Sequence, residues 1–397
     1  MIGTFTGRPG IYLYCLFVAA FGCMGEEAPA FEGKEGTYLS RTASPLDQRR
    51  PLKEDQRQIP GQKKEKLMVG ALYYIWWGLL PGERDMWERG HGLSPSLGEY
   101  PSRDPDIAEQ HIKWATEHGI NLFEVSWSGP GQRAPELDND EIDAALREGL
   151  LAAPSIEDMK FLLVYETERA LIQEAQQIGY NNIRKAFIED ILYASERYFD
   201  HPSYFKLNGR PVVMVWKAKD VLETLLKENG MELQDVLHEV EKGAQRDIFW
   251  VSLGEDVYEP ERPPTEDPIL NVLDAVAPLL GDTFALGEVK TWRKHLDKVE
   301  TGYGLWSAAG KKLGFVFIPS VIPGFDDRAF NQGQNRFLKM DPDGFYQAIR
   351  LAKKLARDRG NWISIYGFNE WFECGAIEPT KEFGLRFLET LKEAVRD

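Results

Sequence analysis

Leu67-Met68-Val69-Gly70-Ala71-Leu72-Tyr73-Tyr74-Ile75 is a continuous apolar run, and residues 24–66 ahead of it show no sustained apolar periodicity. A run this short, without clean alternation, reads as a strand covered on both faces. Seven more such runs follow, at 120–126, 160–166, 211–216, 247–252, 272–277, 314–319 and 361–367. Helical patterns lie between them: Asp104 to His118, Asn139 to Leu151, Asn182 to Phe199, Leu286 to Lys298 and Gly344 to Arg359. Lys381 to Val395 follows the last strand. Eight strands, each followed by a crossover, predict a (β/α)8 TIM barrel, a single α/β catalytic domain over 67–397. The sixth strand, Val272 to Ala277, is the weakest of the eight. A doubly wound open sheet is the competing architecture, but no glycine-rich phosphate loop follows any strand. No internal repeat is visible.

The length of 397 residues fits two domains or one large barrel. Hydrophobic content of 43% is ordinary for a globular chain, and the aromatic share of 12% is high. The formal charge, 47 − 63 = −16, argues against nucleic acid or an anionic membrane as partner, since both demand clustered basic surface. An acidic, tryptophan-rich protein suits a neutral ligand such as carbohydrate. Near the N-terminus, Arg8 precedes an apolar run from Ile11 to Gly22, too short to span a bilayer and suited to a signal-peptide core. Ala20-Phe21-Gly22-Cys23 resembles a bacterial lipoprotein processing site, with Cys23 as the lipid-anchored residue. Phe21 departs from that pattern, so plain secretion stays open, as does a disordered cytosolic N-terminus. Residues 1–23 are therefore expected to direct export, to the bacterial periplasm, the cell surface or the medium. Residues 24–66, rich in Glu, Lys, Arg, Gln, Pro and Ser, read as a flexible linker. Cys374 is the only thiol in the body, so no internal disulfide is expected. The six histidines are scattered, with no His-Glu-x-x-His helix and no Cys-x-x-Cys pair, so neither metal nor cofactor is expected. No Gly-x-Ser-x-Gly elbow marks a serine hydrolase.

A barrel gathers its chemistry at the C-terminal ends of the strands. There the last strand runs into Tyr366-Gly367-Phe368-Asn369-Glu370-Trp371-Phe372-Glu373. If the chain turns helically, Glu370 and Glu373 share a face, near the roughly 5–5.5 Å carboxyl separation of retaining glycosidases. One carboxyl can then donate a proton to a leaving oxygen while the other stabilises or deprotonates. Asn369 and Trp371 flank them, and an indole can stack on a pyranose face. The alternative is a surface turn with two solvated glutamates. Glu166 closes the strand Phe161 to Tyr165 and faces either the mouth or a helix terminus. Glu124, inside the second strand, is expected to pair with a lysine or arginine and has no assigned role. Tyr73, Tyr74, Trp76 and Trp127 are candidate subsite aromatics, each with a core position as the alternative. Asp326-Asp327-Arg328, after Pro323-Gly324-Phe325, either binds substrate or caps a turn.

These segments carry a family likeness. Val69 to Trp77, Tyr100-Pro101-Ser102-Arg103-Asp104-Pro105 and Val125-Ser126-Trp127-Ser128-Gly129-Pro130-Gly131 resemble the opening of glycoside hydrolase family 99, the endo-acting α-mannosidases. His201 to Phe205, Gly209 to Val212, Ile318 to Asp327, Phe368 to Glu373 and Ile377-Glu378-Pro379 continue the resemblance in order across roughly residues 68–396. It implies a (β/α)8 barrel and metal-independent, retaining cleavage of α-mannosidic bonds inside a chain, which leaves mannan, a bacterial surface glycan or another α-linked polysaccharide as substrates. The position matching Glu370 deprotonates the sugar's own 2-hydroxyl, which attacks C1. The position matching Glu373 protonates the leaving oxygen and then activates water. Glu166 matches a carboxylate beside the reactive sugar, and Tyr74 and Trp127 match aromatic positions at the family's site. The chain departs from the family at Phe372, usually His, at Cys374-Gly375-Ala376, usually Gly-Thr-Gln, and at Thr167-Glu168-Arg169, where a Pro-Tyr-containing run is usual. The expected partner is an oligosaccharide or polysaccharide bound by a monomer. A non-catalytic carbohydrate-binding relative, or a polysaccharide-assembly enzyme working by transglycosylation, are the alternatives.

Overall fold

The computed structural model describes residues 66–82, 85–131, 139–167, 170–171, 183–228, 230–255, 270, 272–278, 291–329, 337–356 and 360–396. The expected signal segment with Cys23, and the linker up to residue 65, lie outside the described residues. The strands are β1 (Met68–Tyr74), β2 (Leu122–Trp127), β3 (Lys160–Tyr165), β4 (Arg210–Trp216), β5 (Phe249–Glu255) and β6 (Ala275–Pro278). They pair in parallel with their sequence neighbours, and β8 (Trp362–Ile365) pairs in parallel with β1. The seventh strand, β7, comes in two pieces: Val316–Phe317 joins β6, and Ser320–Val321 joins β8. Both pieces belong to one run of chain, so the sheet closes on itself. Ile318 N donates to Val276 O at 2.8 Å, and Ser364 N to Pro319 O at 3.0 Å. The break falls at Pro319, which has no N–H to give a ladder. The described residues form a (β/α)8 barrel.

The helix layer includes α1 (Pro105–Glu117), α2 (Asn139–Ala144), α3 (Ile183–Arg197), α4 (Leu233–Ala244), α5 (Trp292–Leu313), α6 (Pro342–Ala356) and α7 (Arg386–Arg396). The sequence pattern ended α5 at Lys298, yet the helix continues to Leu313. Gly302 and Gly304 weaken the local helical signal, and packing of Tyr303 and Trp306 on the barrel overrides it. The sixth strand was weak in the sequence because a charge, Asp274, interrupts the run. Asp274 is held there by a two-pronged contact with Arg210, at 2.8 and 2.7 Å, and accepts from Trp250 N at 2.9 Å.

Alternate side chains along each strand point to opposite faces, and contacts fix which is which. The Tyr73 hydroxyl meets His111 Nδ1 of α1 at 2.9 Å, and the Tyr165 hydroxyl donates to Asp190 of α3 at 2.7 Å, so the odd-numbered side faces the helices. Glu124 lies on the other side. Its carboxyl accepts from Trp362 Nε1 at 3.1 Å and from the Ser364 hydroxyl. Because β2 and β8 flank β1, these groups meet across Gly70 inside the barrel. The expected lysine or arginine partner for Glu124 is replaced by an indole and a hydroxyl.

Burial pushes the Glu124 carboxyl up from its ordinary 4.5 to about 8. A raised folded-state value means the folded protein holds a proton that the unfolded chain releases between those two values. Its contribution to stability is complete below pH 4.5 and is lost as pH rises through 8. Glu124→Gln keeps an acceptor for Trp362 Nε1, offers its amide N–H to the Ser364 hydroxyl oxygen and removes the titration. Urea unfolding at pH 5 and pH 9 is expected to show a loss in the wild type, on the order of a few kcal/mol, that is much smaller in the variant.

Candidate active site

After β8 the last inward residue is Tyr366, and the chain then turns through Gly367 at φ +87°. A Cβ at Gly367 would sit 2.6 Å from the Cβ of Glu370 and 2.8 Å from Gly375 O. Phe368 N still pairs with Leu72 O of β1 at 2.6 Å, and Glu378 N returns to Phe368 O at 2.7 Å. Between these ends Gly375 N donates to Glu370 O at 3.0 Å, which folds 370–375 into one tight turn. Glu370 and Glu373 thus share a short loop at the mouth. Glu370 is buried, and its Oε1 accepts from Phe372 N at 3.0 Å. Glu373 is part-buried, with Oε2 accepting from the Tyr366 hydroxyl. Gly367→Ala, strained by the backbone and crowded by Glu370, is expected to cost about 1–3 kcal/mol in denaturant unfolding.

A buried polar network fastens this loop to β1 and α1. Asn369 clamps the end of β1, accepting from Tyr74 N and donating to Tyr74 O, both at 2.8 Å. The Tyr100 hydroxyl donates to Glu378 Oε2 at 2.6 Å and accepts from Trp371 Nε1 at 3.3 Å. Glu378 Oε1 lies 3.3 Å from His111 Nε2, whose other ring nitrogen meets Tyr73. Burial, and then the Glu378 carboxylate, drive the Tyr100 and Tyr73 hydroxyls well above the ordinary phenol range, so both stay protonated.

Around the mouth, Glu166 continues the inward face of β3, is 6% exposed, and accepts from the Ser126 hydroxyl at 2.6 Å. Tyr74 is also inward, its ring 4.6 Å from that of Trp76. From β8 round to β3 the mouth therefore carries Glu370, Glu373, Tyr74 with Trp76, Ser126 and Glu166. At the rim Asp326 N donates to Glu373 O at 2.8 Å, and Asp326 grips Arg328 at 2.7 and 2.6 Å.

Five expected binding residues are turned away from the mouth or enclosed. Tyr73 faces α1, and Trp127 faces α2 and α3, its Nε1 donating to Asp143 at 3.0 Å and its ring stacked near Tyr193. Trp371 is enclosed, packed on Trp87, and Asn369 spends its amide on β1. Asp327 is fully enclosed, while its neighbours Asp326 and Arg328 reach solvent. Tyr366, Ser126 and the Tyr100–His111–Glu378 set were not singled out from sequence as site groups. Tyr366 was within reach, being two residues past Ser364 on the same face. The others depend on partners distant in the chain.

No family model matches the chain. The chain is 23% identical over 300 residues to a glycoprotein endo-α-1,2-mannosidase of Mus musculus, covering 73% of this chain and 57% of that one. The corresponding Xenopus laevis protein is 23% identical over 319 residues, covering 76% and 62%. The chain thus spans less than two thirds of the length of these curated relatives. Two structures of the GH99 endo-α-mannosidase from Bacteroides thetaiotaomicron superpose with TM-scores of 0.58 and 0.56 at 19% identity, over 83% of this chain and 96% of theirs. The chain is thus similar, at low identity, to endo-α-mannosidases, and it shares its barrel with structures of glycoside hydrolase family 99.

Its departures from the family pattern now have places. Phe372 packs its ring 4.7 Å from Trp77 and closes that side with hydrocarbon. Cys374 takes a left-handed backbone, φ +50°, and burial, followed by the Asp326 charge, pushes its thiol up to about 12. Thr167 donates its hydroxyl to Trp216 O at 2.6 Å, joining the ends of β3 and β4 beside Glu166. Among the described residues no group of three or more His, Cys, Asp or Glu side chains is arranged to hold a metal.

Proposed function

We propose that this family 99 relative is a retaining, metal-independent glycoside hydrolase that cleaves internal α-mannosidic or closely related α-linked bonds in glycans. The observation that carries the reading is the placement of Glu370 and Glu373 on one clamped loop at the barrel mouth, with Glu166 on the neighbouring inward face. In an α-mannoside the 2-hydroxyl and the C1–O bond are both axial and anti to each other. O2 is therefore aligned to displace the leaving group. Glu370 takes the O2 proton as O2 bonds to C1, the glycosidic C1–O bond breaks, and Glu373 gives its proton to the departing oxygen. The product is a 1,2-anhydro sugar. Water then attacks C1 and gives a proton to the Glu373 carboxylate, the C1–O2 bond opens, and O2 recovers a proton from Glu370. Two inversions at C1 leave the configuration retained. Ser126 keeps Glu166 oriented toward the sugar. We also infer that the N-terminal segment exports the protein to meet such glycans outside the cytoplasm.

The test is a panel of α-mannans and α-mannoside oligosaccharides, with the anomer first released followed by NMR, for the wild type, Glu370→Gln and Glu373→Gln. Cleavage by the wild type with the α-anomer released first, and its loss in both variants, supports the reading. Binding of glycan without cleavage of anything overturns it in favour of a carbohydrate-binding protein, for which the apolar Phe372 wall is the first suspect. Lengthening of an added acceptor in place of a free reducing end points to transglycosylation.

A further inference from the structure

We propose that Tyr366 is a positioning residue for proton transfer, its hydroxyl holding the Glu373 carboxyl in place and favouring its ionised form. This rests on the reading of Glu373 as the acid and base of the reaction.

Three features support it. Tyr366 is the last inward side chain of the β8 run and is 4% exposed, so its ring direction is fixed by packing. The loop wraps over that ring: a Cβ at Gly375 would come within 3.0 Å of it, and Phe325 of the rim lies 6.5 Å from it, centroid to centroid. Its hydroxyl donates to Glu373 Oε2. Among the described residues, the charged and titratable groups gathered about this turn include Glu370 and Cys374 on the loop itself and Asp326 with Arg328 from the rim, where Arg328 is paired with Asp326. The carboxylates among them oppose ionisation of Glu373, and a phenol donor opposes that pressure. A hydrogen bond to the charged form lowers a carboxyl's pKa, and this one is made to the carboxyl that must lose and regain a proton.

The consequence is a division of labour within the cycle. In the first step Glu373 gives up its proton and becomes a carboxylate, and the phenol stabilises that product. In the second step the same carboxylate accepts a proton from water while Tyr366 keeps it aimed at C1. A residue that merely filled space would slow catalysis equally at every pH. One that acts through the Glu373 charge moves the pH at which Glu373 titrates.

Tyr366→Phe keeps the ring under Gly375 and removes only the hydroxyl, so the fold is preserved. With glutamate carboxyls labelled in carbon-13, the Glu373 resonance is assigned by its disappearance in Glu373→Gln, and its titration is followed in both proteins. The midpoint is expected to rise by about one pH unit in Tyr366→Phe. An unchanged or lower midpoint overturns the proposal. This reading needs no substrate, so it stands apart from the assay of function. On a cleaved glycan, the basic limb of the kcat profile is expected to move up by about the same interval in Tyr366→Phe. Full activity in Glu373→Gln overturns the acid and base reading of Glu373, and with it the role of Tyr366 in proton transfer, even where the midpoint shifts.

Discussion

Glu370→Gln and Glu373→Gln are each expected to lower kcat/KM on a cleaved α-mannoside by about 10²–10⁴, the usual range for loss of a positioned general acid or base. The two variants are expected to differ in how they fail. Glutamine at 373 cannot protonate the leaving oxygen, and that matters least when the leaving group needs no proton. An aryl glycoside with an acidic phenol should therefore recover much of the lost rate of the bond-breaking step in Glu373→Gln. It should recover little in Glu370→Gln, where O2 keeps its proton and remains a poor nucleophile whatever departs. Folding is not expected to confuse the comparison, because a glutamine at 370 still accepts from Phe372 N and one at 373 still accepts from Tyr366. Equal behaviour of both variants on the activated substrate would contradict the assignment of separate roles.

The second large effect lies beneath the mouth. Gly70→Ala would place a Cβ 2.0 Å from Glu124 Oε1 and 3.0 Å from Trp362 Nε1. A glutamate end can usually swing aside, but this one is enclosed by the barrel and bonded to Trp362 and Ser364. Moving it leaves those donors without an acceptor as well as straining the packing. The expected loss is about 2–4 kcal/mol in denaturant unfolding, summing overpacking and broken hydrogen bonds. A double-mutant cycle isolates the cause. In a Glu124→Ala background the methyl at 70 enters space vacated by the carboxyl, so the same change is expected to cost less than about 1 kcal/mol. Additive costs would mean that the damage comes from the backbone at 70 and not from its contact with Glu124.

How much of this was legible in the sequence depends on which property each feature used. The strands and their parallel order were legible because runs such as Phe161 to Tyr165 are short, apolar and spaced by helices. The acidic loop was legible because Glu370 and Glu373 follow such a run directly. Which way a strand residue points was not. A parallel strand buried on both faces has no polar side to mark the outside, so Tyr73 and Tyr74 look alike although one meets α1 and the other the mouth. Trp127 misleads for the same reason, since an indole is equally at home against Tyr193 or a sugar. Asn369 and Trp371 owe their placement to Tyr74 and Tyr100, hundreds of residues away along the chain, and no local pattern announces such partners.

The break in β7 carries an energetic consequence for the whole cylinder. A continuous strand would knit β6 to β8 along its full length, whereas here the piece before Pro319 is paired with β6 and the piece after it with β8. The last seam of a closed sheet must gather chain ends already fixed elsewhere, so its loop-closure entropy is met late and by few bonds. Amide exchange through local opening should accordingly be fastest along this seam and slowest at the β2–β3 ladder. Because the seam continues directly into the Phe325–Asp326 rim, whose Asp326 N donates to Glu373 O, opening of the seam is expected to loosen the mouth as well.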